Sequence, residues 1–305
     1  MKPNFPLYIP SKGRFEYMVT SKYLTIMKTP HFIVVEPQEV DQYRKSVEKM
    51  GLMAEILPMD MSYKEKYELC DDLGLTKSTG PGPARNFAWD HSISNGHDWH
   101  WVMDDNIRSF FRMNNNLQIR VTDGTCFRVM EDFVLRYKNI GMAGPNYHMF
   151  APRKKKLPPF VMNTRSYSCN LIRNSMERRW RGRYNEDTII SLDILKAGWC
   201  TVQFNAFLQE KMNTQVLKGG NTDEFYHAEG EVSDGKRYAD TGTIAKSQMQ
   251  VKVHPDVSEM VWKFNRWHHH VDYSGFKKQK LIRNEDVEIK EKIQDYGMKM
   301  VKVKK

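Results

Sequence analysis

The stretch Trp99-His100-Trp101-Val102-Met103-Asp104-Asp105-Asn106 decides the fold. An apolar, aromatic run passes without a break into two carboxylates and an amide. A short run of this kind, with no helical spacing, reads as a strand buried on both faces. Such strands sit in α/β sheets, where the residues just past a strand's carboxyl end meet the ligand. Asp104, Asp105 and Asn106 hold that place. Their hard oxygen donors suit Mg²⁺ or Mn²⁺ shared with a phosphate. Asp and Asn also form ordinary turns, so a solvated turn is the plainer alternative.

Toward the N-terminus, residues 5–9 form a short apolar strand stopped by Pro10, and Ser11-Lys12-Gly13-Arg14 make a turn. Residues 31–35 and 54–57 are further strands. Between them 38–50 has helical spacing, with Gly51 as its C-cap. Residues 62–73 are expected to be helical. Thr79-Gly80-Pro81-Gly82-Pro83-Ala84-Arg85-Asn86 leads into a helix reaching Asn95, with Pro83 in its first turn.

Beyond the central strand, 132–139 is expected to be a helix and 160–173 to hold one or two strands. Asn185-Glu186-Asp187 opens a helix over 188–197 closed by Gly198, and 199–204 is a strand. Residues 218–243 are polar and without period, which predicts a long loop or lid. Residues 257–270 are expected to be helical and end in His268-His269-His270. The last thirty residues form a charged surface helix or tail. Strands alternating with helices predict an α/β fold whose sheet is mixed and mostly parallel. There are no internal repeats.

Apolar residues make up 40% and charged residues 28% of the 305, the profile of a soluble globular protein. No apolar run is long enough to span a bilayer, and the N-terminal residues lack the apolar stretch of a signal peptide. The expectation is a cytoplasmic protein with no membrane partner. Cys70, Cys126, Cys169 and Cys200 are far apart, so buried free thiols are expected rather than a zinc site or disulfides. Lys and Arg total 47 against 37 Asp and Glu, a net charge of +10. That excess attracts polyanions, most often nucleic acid. It gathers in Arg153-Lys154-Lys155-Lys156, in Arg178-Arg179-Trp180-Arg181-Gly182-Arg183, and in the tail from 277. Arg153, Lys154, Lys155, Arg179, Trp180 and Arg181 are the expected nucleic-acid contacts, with Trp180 stacking on a base or wedging into the stack.

Glu186 and Asp187 fall in the first turn of a helix, where the backbone dipole favours anions. A held, ionised carboxylate is what a general base needs; simple capping would place it there as well. Residues 80–86 lack the P-loop spacing and its Lys-Ser/Thr ending, which disfavours an ATPase or kinase of that type. Arg85 near a helix start suits a phosphate or a sugar hydroxyl. His254, or one of His268, His269 and His270, is a candidate to complete a metal shell.

Four stretches recur in a known order. They are Ile9-Pro10-Ser11-Lys12-Gly13-Arg14, Gly82-Pro83-Ala84-Arg85-Asn86, Val102-Met103-Asp104-Asp105-Asn106-Ile107 and Arg183-Tyr184-Asn185-Glu186-Asp187. With these the chain resembles the GT-A glycosyltransferases, and more closely the TET-associated glycosyltransferase family of phages. The resemblance covers roughly residues 5–210. It implies a Rossmann-like α/β/α sandwich. Residues 1–275 would be the transferase domain, with 1–110 the nucleotide-sugar half and 111–275 the acceptor half, and 276–305 a basic tail. Pro10, Ser11, Lys12, Arg14, Arg85, Asn86 and Asp104 would bind the donor, a nucleoside diphosphate sugar such as a UDP-sugar. Asp105, Asp104 and Asn106, with His254, would hold Mn²⁺ or Mg²⁺; Asn106 departs from the strict DxD pattern. Asp187, paired with Glu186, would be the base of an inverting transfer. The acceptor would be the hydroxymethyl group of 5-hydroxymethylcytosine in phage DNA, a modification that shields it from restriction.

Other readings remain open at this stage. The same fold serves transferases acting on protein or polysaccharide. A metal-dependent nuclease or nucleotidyltransferase would use the same carboxylates without a sugar nucleotide. A nucleic-acid-binding protein without chemistry would leave the acidic motifs as turns and caps.

Overall fold

The strand read at 99–103 is buried along its whole length and stands in the interior of a ten-stranded sheet. The computed structural model describes residues 1–72, 74–76, 78–153, 157–212, 241–263 and 266–289. In chain order the first half holds β1 (Leu7–Pro10), α1 (Val19–Ile26), β2 (His31–Val35), α2 (Val40–Met50), β3 (Ala54–Pro58), α3 (Ser62–Glu65), α4 (Gly82–Ser94), β4 (Trp99–Met103), β5 (Ile107–Asn114) and β6 (Leu117–Arg120). The second holds α5 (Thr125–Leu135), β7 (Ile140–Tyr147), β8 (Phe160–Met162), β9 (Cys169–Arg173), α6 (Glu186–Lys196), β10 (Cys200–Lys211), α7 (Thr241–Val253), β11 (Ser258–Lys263) and β12 (Arg266–Val271).

The sheet runs β3-β2-β1-β4-β9-β7-β10-β5-β6, with β8 also paired to β10. β1 to β4, β6, β7 and β10 point one way; β5, β8 and β9 point the other. It is thus mixed and mostly parallel, as the alternation of elements predicts. Leu7 and Ile9 of β1 face a core shared with α1 and α5, while Tyr8 faces one shared with α4 and α6. α2 covers β2 and β3 through Tyr43 and Val47. Helices therefore cover both faces, which is why the parallel strands carry continuous apolar runs. Among the described residues no helix is long and apolar enough to cross a membrane.

Several expectations need correction. The helix expected at 62–73 ends at Glu65. Beyond it the chain is drawn to a distant segment: Gly182 N and Arg183 N donate to Glu68 O and Leu69 O. Tyr67 fills the space beside Gly82, where an added Cβ would lie 1.8 Å from the Tyr67 hydroxyl. The helix expected at 132–139 is α5, which starts earlier because its apolar face is Cys126, Phe127, Val129, Met130 and Val134. The strand expected at 199–204 runs on to Lys211, and β5, β6 and β7 were not foreseen. The helix expected at 257–270 is the hairpin β11–β12, paired from Ser258↔Val271 to Lys263↔Arg266. Trp262 and Trp267 face each other across it at 5.3 Å, a cross-strand contact that a helix would not allow. The lid expected at 218–243 lies outside the described residues except for 241–243, which open α7. In the tail, 290–305 likewise lie outside them.

Candidate active site

The carboxyl ends of β1 and β4 lie side by side, because Leu7 and Tyr8 pair in parallel with Trp101 and Val102. The turn after β1 is therefore brought against the acidic turn after β4. Ser11 Oγ donates to Asp105 Oδ2 at 2.8 Å, and Arg14 pairs with Asp105 Oδ1 at 2.5 Å. Tyr43 of α2 holds the turn from behind through Ser11 Oγ and the Arg14 amide. Gly13 takes a positive φ of 64°, and its amide donates to Glu39. From α1, the buried Thr20 hydroxyl donates to Asp104 O at 2.7 Å and accepts from Ile107 N at 2.8 Å, which fixes the acidic turn.

Asp104 is held on both oxygens. Arg85 Nη2 reaches Oδ1 at 2.8 Å and Lys211 Nζ reaches Oδ2 at 2.6 Å. Burial works against its charge, but Lys211 and Arg85 outweigh burial and keep its pKa below the usual range. At Asp105 burial wins over Arg14 and Ser11, and its pKa is raised. Lys211 ends β10 and also bonds Ser168 Oγ at 3.1 Å.

Arg85, only 2% exposed, joins the two acidic motifs. Its other arm reaches Asp187 Oδ1 at 2.8 Å and Glu186 at 3.5 Å, and its guanidinium lies 4.4 Å over Trp180. Asp187 also accepts from Asn170 Nδ2 on Oδ1 and from the Ser168 amide on Oδ2, each at 3.2 Å. Asn185 enters α6 in the left-handed conformation and leaves Glu186 and Asp187 at the positive end of the helix. Glu186 is pushed up to about 7 by burial, with Asp187 adding to the shift and Arg85 opposing it.

The turn after β1, the acidic turn after β4 and the start of α6 line a single cleft of about 360 Å³, within the range of small-ligand sites. Of the residues singled out in the sequence, Pro10, Ser11, Lys12, Arg14, Asp104, Asp105, Asn106, Glu186 and Asp187 all line it. Other groups in its wall were not foreseen: Lys64, Tyr147, Arg165, Tyr167, Lys211 and Lys246. Lys211 and Tyr147 stand at ends of strands that were cut short or not read. Lys246 comes from α7, where burial pushes it down to about 8 while Glu186 opposes that shift.

Six expected residues do different work. Arg85 and Asn86 do not line the cleft. Arg85 is spent on carboxylates, and Asn86 bonds both the amide and the carbonyl of Trp180. Trp180 is 1% exposed beneath Arg85, so it offers no face to a base. Arg181 forks onto Asp193 and reaches Glu68. His254 is buried behind α6, 3.0 Å from Lys196 and 3.6 Å from Asp193, and is not in the cleft wall. Arg179 reaches Asp90 and lies 4.6 Å over Trp89. Arg153 is exposed, while Lys154 and Lys155 lie outside the described residues. On β12 His268 and His269 are half-buried and His270 is exposed; burial pushes His269 down to about 4, with Arg165 and Lys246 adding to the shift. All four cysteines are free thiols, with Cys126, Cys169 and Cys200 buried.

The donor chemistry at Asp104, Asp105 and Asn106 fits a divalent cation. Asn106 Oδ1 is buried with no hydrogen-bond partner, while the carboxylate oxygens of Asp104 and Asp105 are taken by Arg85, Lys211, Ser11 and Arg14. Among the described residues, no group of three or more His, Cys, Asp and Glu side chains gathers as a complete metal shell.

Beside these carboxylates the cleft wall carries Lys12, Arg14, Lys64, Arg165, Lys211 and Lys246. A family model of the TET-associated glycosyltransferases matches residues 5–220. The chain belongs to that family and is a glycosyltransferase. None of the curated proteins compared with it matches. Among solved structures, the inositol-1-phosphate CTP transferase from T. maritima is similar over 68% of this chain and 88% of its own, at 8% identity and a TM-score of 0.34. That likeness is too low to bear on function.

Proposed function

We propose that the protein moves a sugar from a nucleoside diphosphate sugar to the hydroxymethyl group of 5-hydroxymethylcytosine in DNA, with inversion at the anomeric carbon. The observation that carries the reading is Arg85. It locks the acidic turn after β4 and the carboxylates of α6 into one rigid unit, so the donor side and the base side keep a fixed spacing. Such pre-positioning is what a transfer between two bound substrates requires.

In this reading residues 1–110 supply the donor half and 111–275 the acceptor half. Pro10, Ser11, Lys12 and Arg14 receive the nucleotide. Asp187 takes the proton from the acceptor hydroxyl. Its Oδ2 accepts one amide bond at 3.2 Å, which leaves that oxygen a further lone pair, and the residue lines the cleft. The acceptor oxygen then attacks the anomeric carbon, and the nucleoside diphosphate leaves against Arg14, Lys12 and Lys211. Where Mg²⁺ or Mn²⁺ is bound, Asp105 and Asn106, with Asp104 behind them, would hold it, and it would supply further neutralisation of the diphosphate.

The test is incubation with a panel of nucleotide sugars and DNA with or without 5-hydroxymethylcytosine, followed by mass measurement of the nucleosides. The expected result is a hexose or pentose added only to hydroxymethylated DNA. Asp187→Asn should lower transfer by about 10²- to 10⁴-fold. Transfer that survives removal of divalent cations would assign charge neutralisation to the lysines and arginines alone. Sugar appearing on protein or glycan instead of DNA would move the acceptor elsewhere.

A further inference from the structure

One wall of the cleft carries a feature the mechanism above does not use. Tyr147 ends β7 and Tyr167 lies two residues before β9, at the same sheet edge as Asp104, because Met103 pairs with Cys169. Their ring centroids are 4.4 Å apart. The Arg165 guanidinium lies 4.8 Å from the Tyr167 ring, and Phe150 lies 5.7 Å from Tyr147. Arg165, Tyr167, Tyr147 and Phe150 therefore make a continuous ladder from the cleft to the outer surface. At its inner end the Tyr147 hydroxyl meets Ser168 Oγ at 2.7 Å, and the Ser168 amide holds Asp187. At its outer end Met149 is 62% and Phe150 49% exposed.

These exposed side chains sit on a fixed turn. The His148 ring packs on Phe111 at 4.6 Å, and Gln118 bonds the carbonyls of His148 and Ala151. Arg153 follows directly, also exposed. The ladder thus offers aromatic faces flanked by cations, a match for flat bases joined by phosphates. Asp187, by contrast, is recessed, its side chain only 18% exposed. A paired cytosine keeps its 5-substituent within the major groove, and enzymes that act on a base commonly take it out of the stack to reach such a recessed group.

We propose that this ladder receives the target nucleobase after it has left the helix, with Tyr167 and Tyr147 stacking on the extruded base and Phe150 on its neighbour. The proposal rests on the DNA-acceptor reading above. It makes the enzyme selective for sites that open easily.

The test compares transfer to one 5-hydroxymethylcytosine placed in a matched duplex, opposite a mismatch and in single-stranded DNA. It uses wild type, Tyr167→Ala, Tyr167→Phe and Phe150→Ala. Mismatched and single-stranded sites should be modified faster than the matched site. Tyr167→Ala should raise KM for DNA about tenfold with a smaller change in kcat, and Tyr167→Phe should restore it. Phe150→Ala, an exposed position whose loss leaves the fold intact, should raise KM about threefold. A 2-aminopurine beside the target should brighten on binding, and less so with Tyr167→Ala. Equal use of matched and mismatched sites, or an unchanged KM in both alanine variants while wild type transfers, overturns this proposal alone. A wild type that transfers to no DNA overturns the acceptor reading and this proposal with it.

Discussion

Two stretches of this chain look alike as sequence and behave in opposite ways. Residues 178–183 and 147–153 each mix arginine with aromatic side chains. Arg178 of the first is exposed, but from Trp180 onward it is turned inward. Arg183 is 1% exposed and forks onto Asp71, Arg181 forks onto Asp193, and Trp180 lies under Arg85. The second is turned outward, with Met149, Phe150 and Arg153 presented to solvent on a braced turn. What separates them is the supply of carboxylates from elsewhere in the chain. Asp71 is 112 residues from Arg183. A basic run binds external phosphate only if the fold has not already neutralised it.

The sharpest way to break this contrast is Arg183→Ala. It removes the cation from a buried pair that also serves the carbonyls of Gly74 and Ser78. Urea unfolding should show a loss of about 3–5 kcal/mol. Lysine should not restore it, since it cannot reproduce the fork. A variant as stable as wild type would return 178–183 to the list of DNA contacts.

A smaller effect is expected at the surface. Arg153→Ala should weaken DNA binding several-fold and lower the slope of log K against log salt by about one. Arg181→Ala should leave that slope unchanged, because its guanidinium is already committed to Asp193 and Glu68. Equal slopes for the two variants would erase the distinction.

The smallest effect concerns Glu186, on the inward side near Arg85. Its pKa rises from the ordinary 4.5 to about 7 on folding. The folded state thus holds the proton more tightly than the unfolded chain, and stability falls as pH climbs through that window. Above about pH 7 the loss is complete. Glu186→Gln removes this dependence, so its melting temperature at pH 8 should exceed that of wild type by several degrees. At pH 4 the two should melt alike. A wild-type curve that is flat between pH 5 and 7 would contradict the assignment.

Legibility followed the range of the forces involved. β2, β4, α4 and the start of α6 were read within a residue or two, because apolar runs, Pro83, Gly51 and Asn185-Glu186-Asp187 are local signals. The hairpin β11–β12 was misread because Trp262 and Trp267 meet only across a turn. Lys211 was missed because the strand that carries it is extended by pairing with β5, over a hundred residues earlier in sequence.

The sequence by itself determined the α/β class and which two acidic motifs stand at strand and helix ends. Those rest on periodicity and on residue types that act over a few positions. Only the tertiary structure decided what each cation does. Arg85 became an internal brace, Lys211 a partner of Asp104, His254 a buried residue behind α6, and Arg153 a surface charge. Charge interactions depend on distance in space and on burial, and neither can be read from position in the chain.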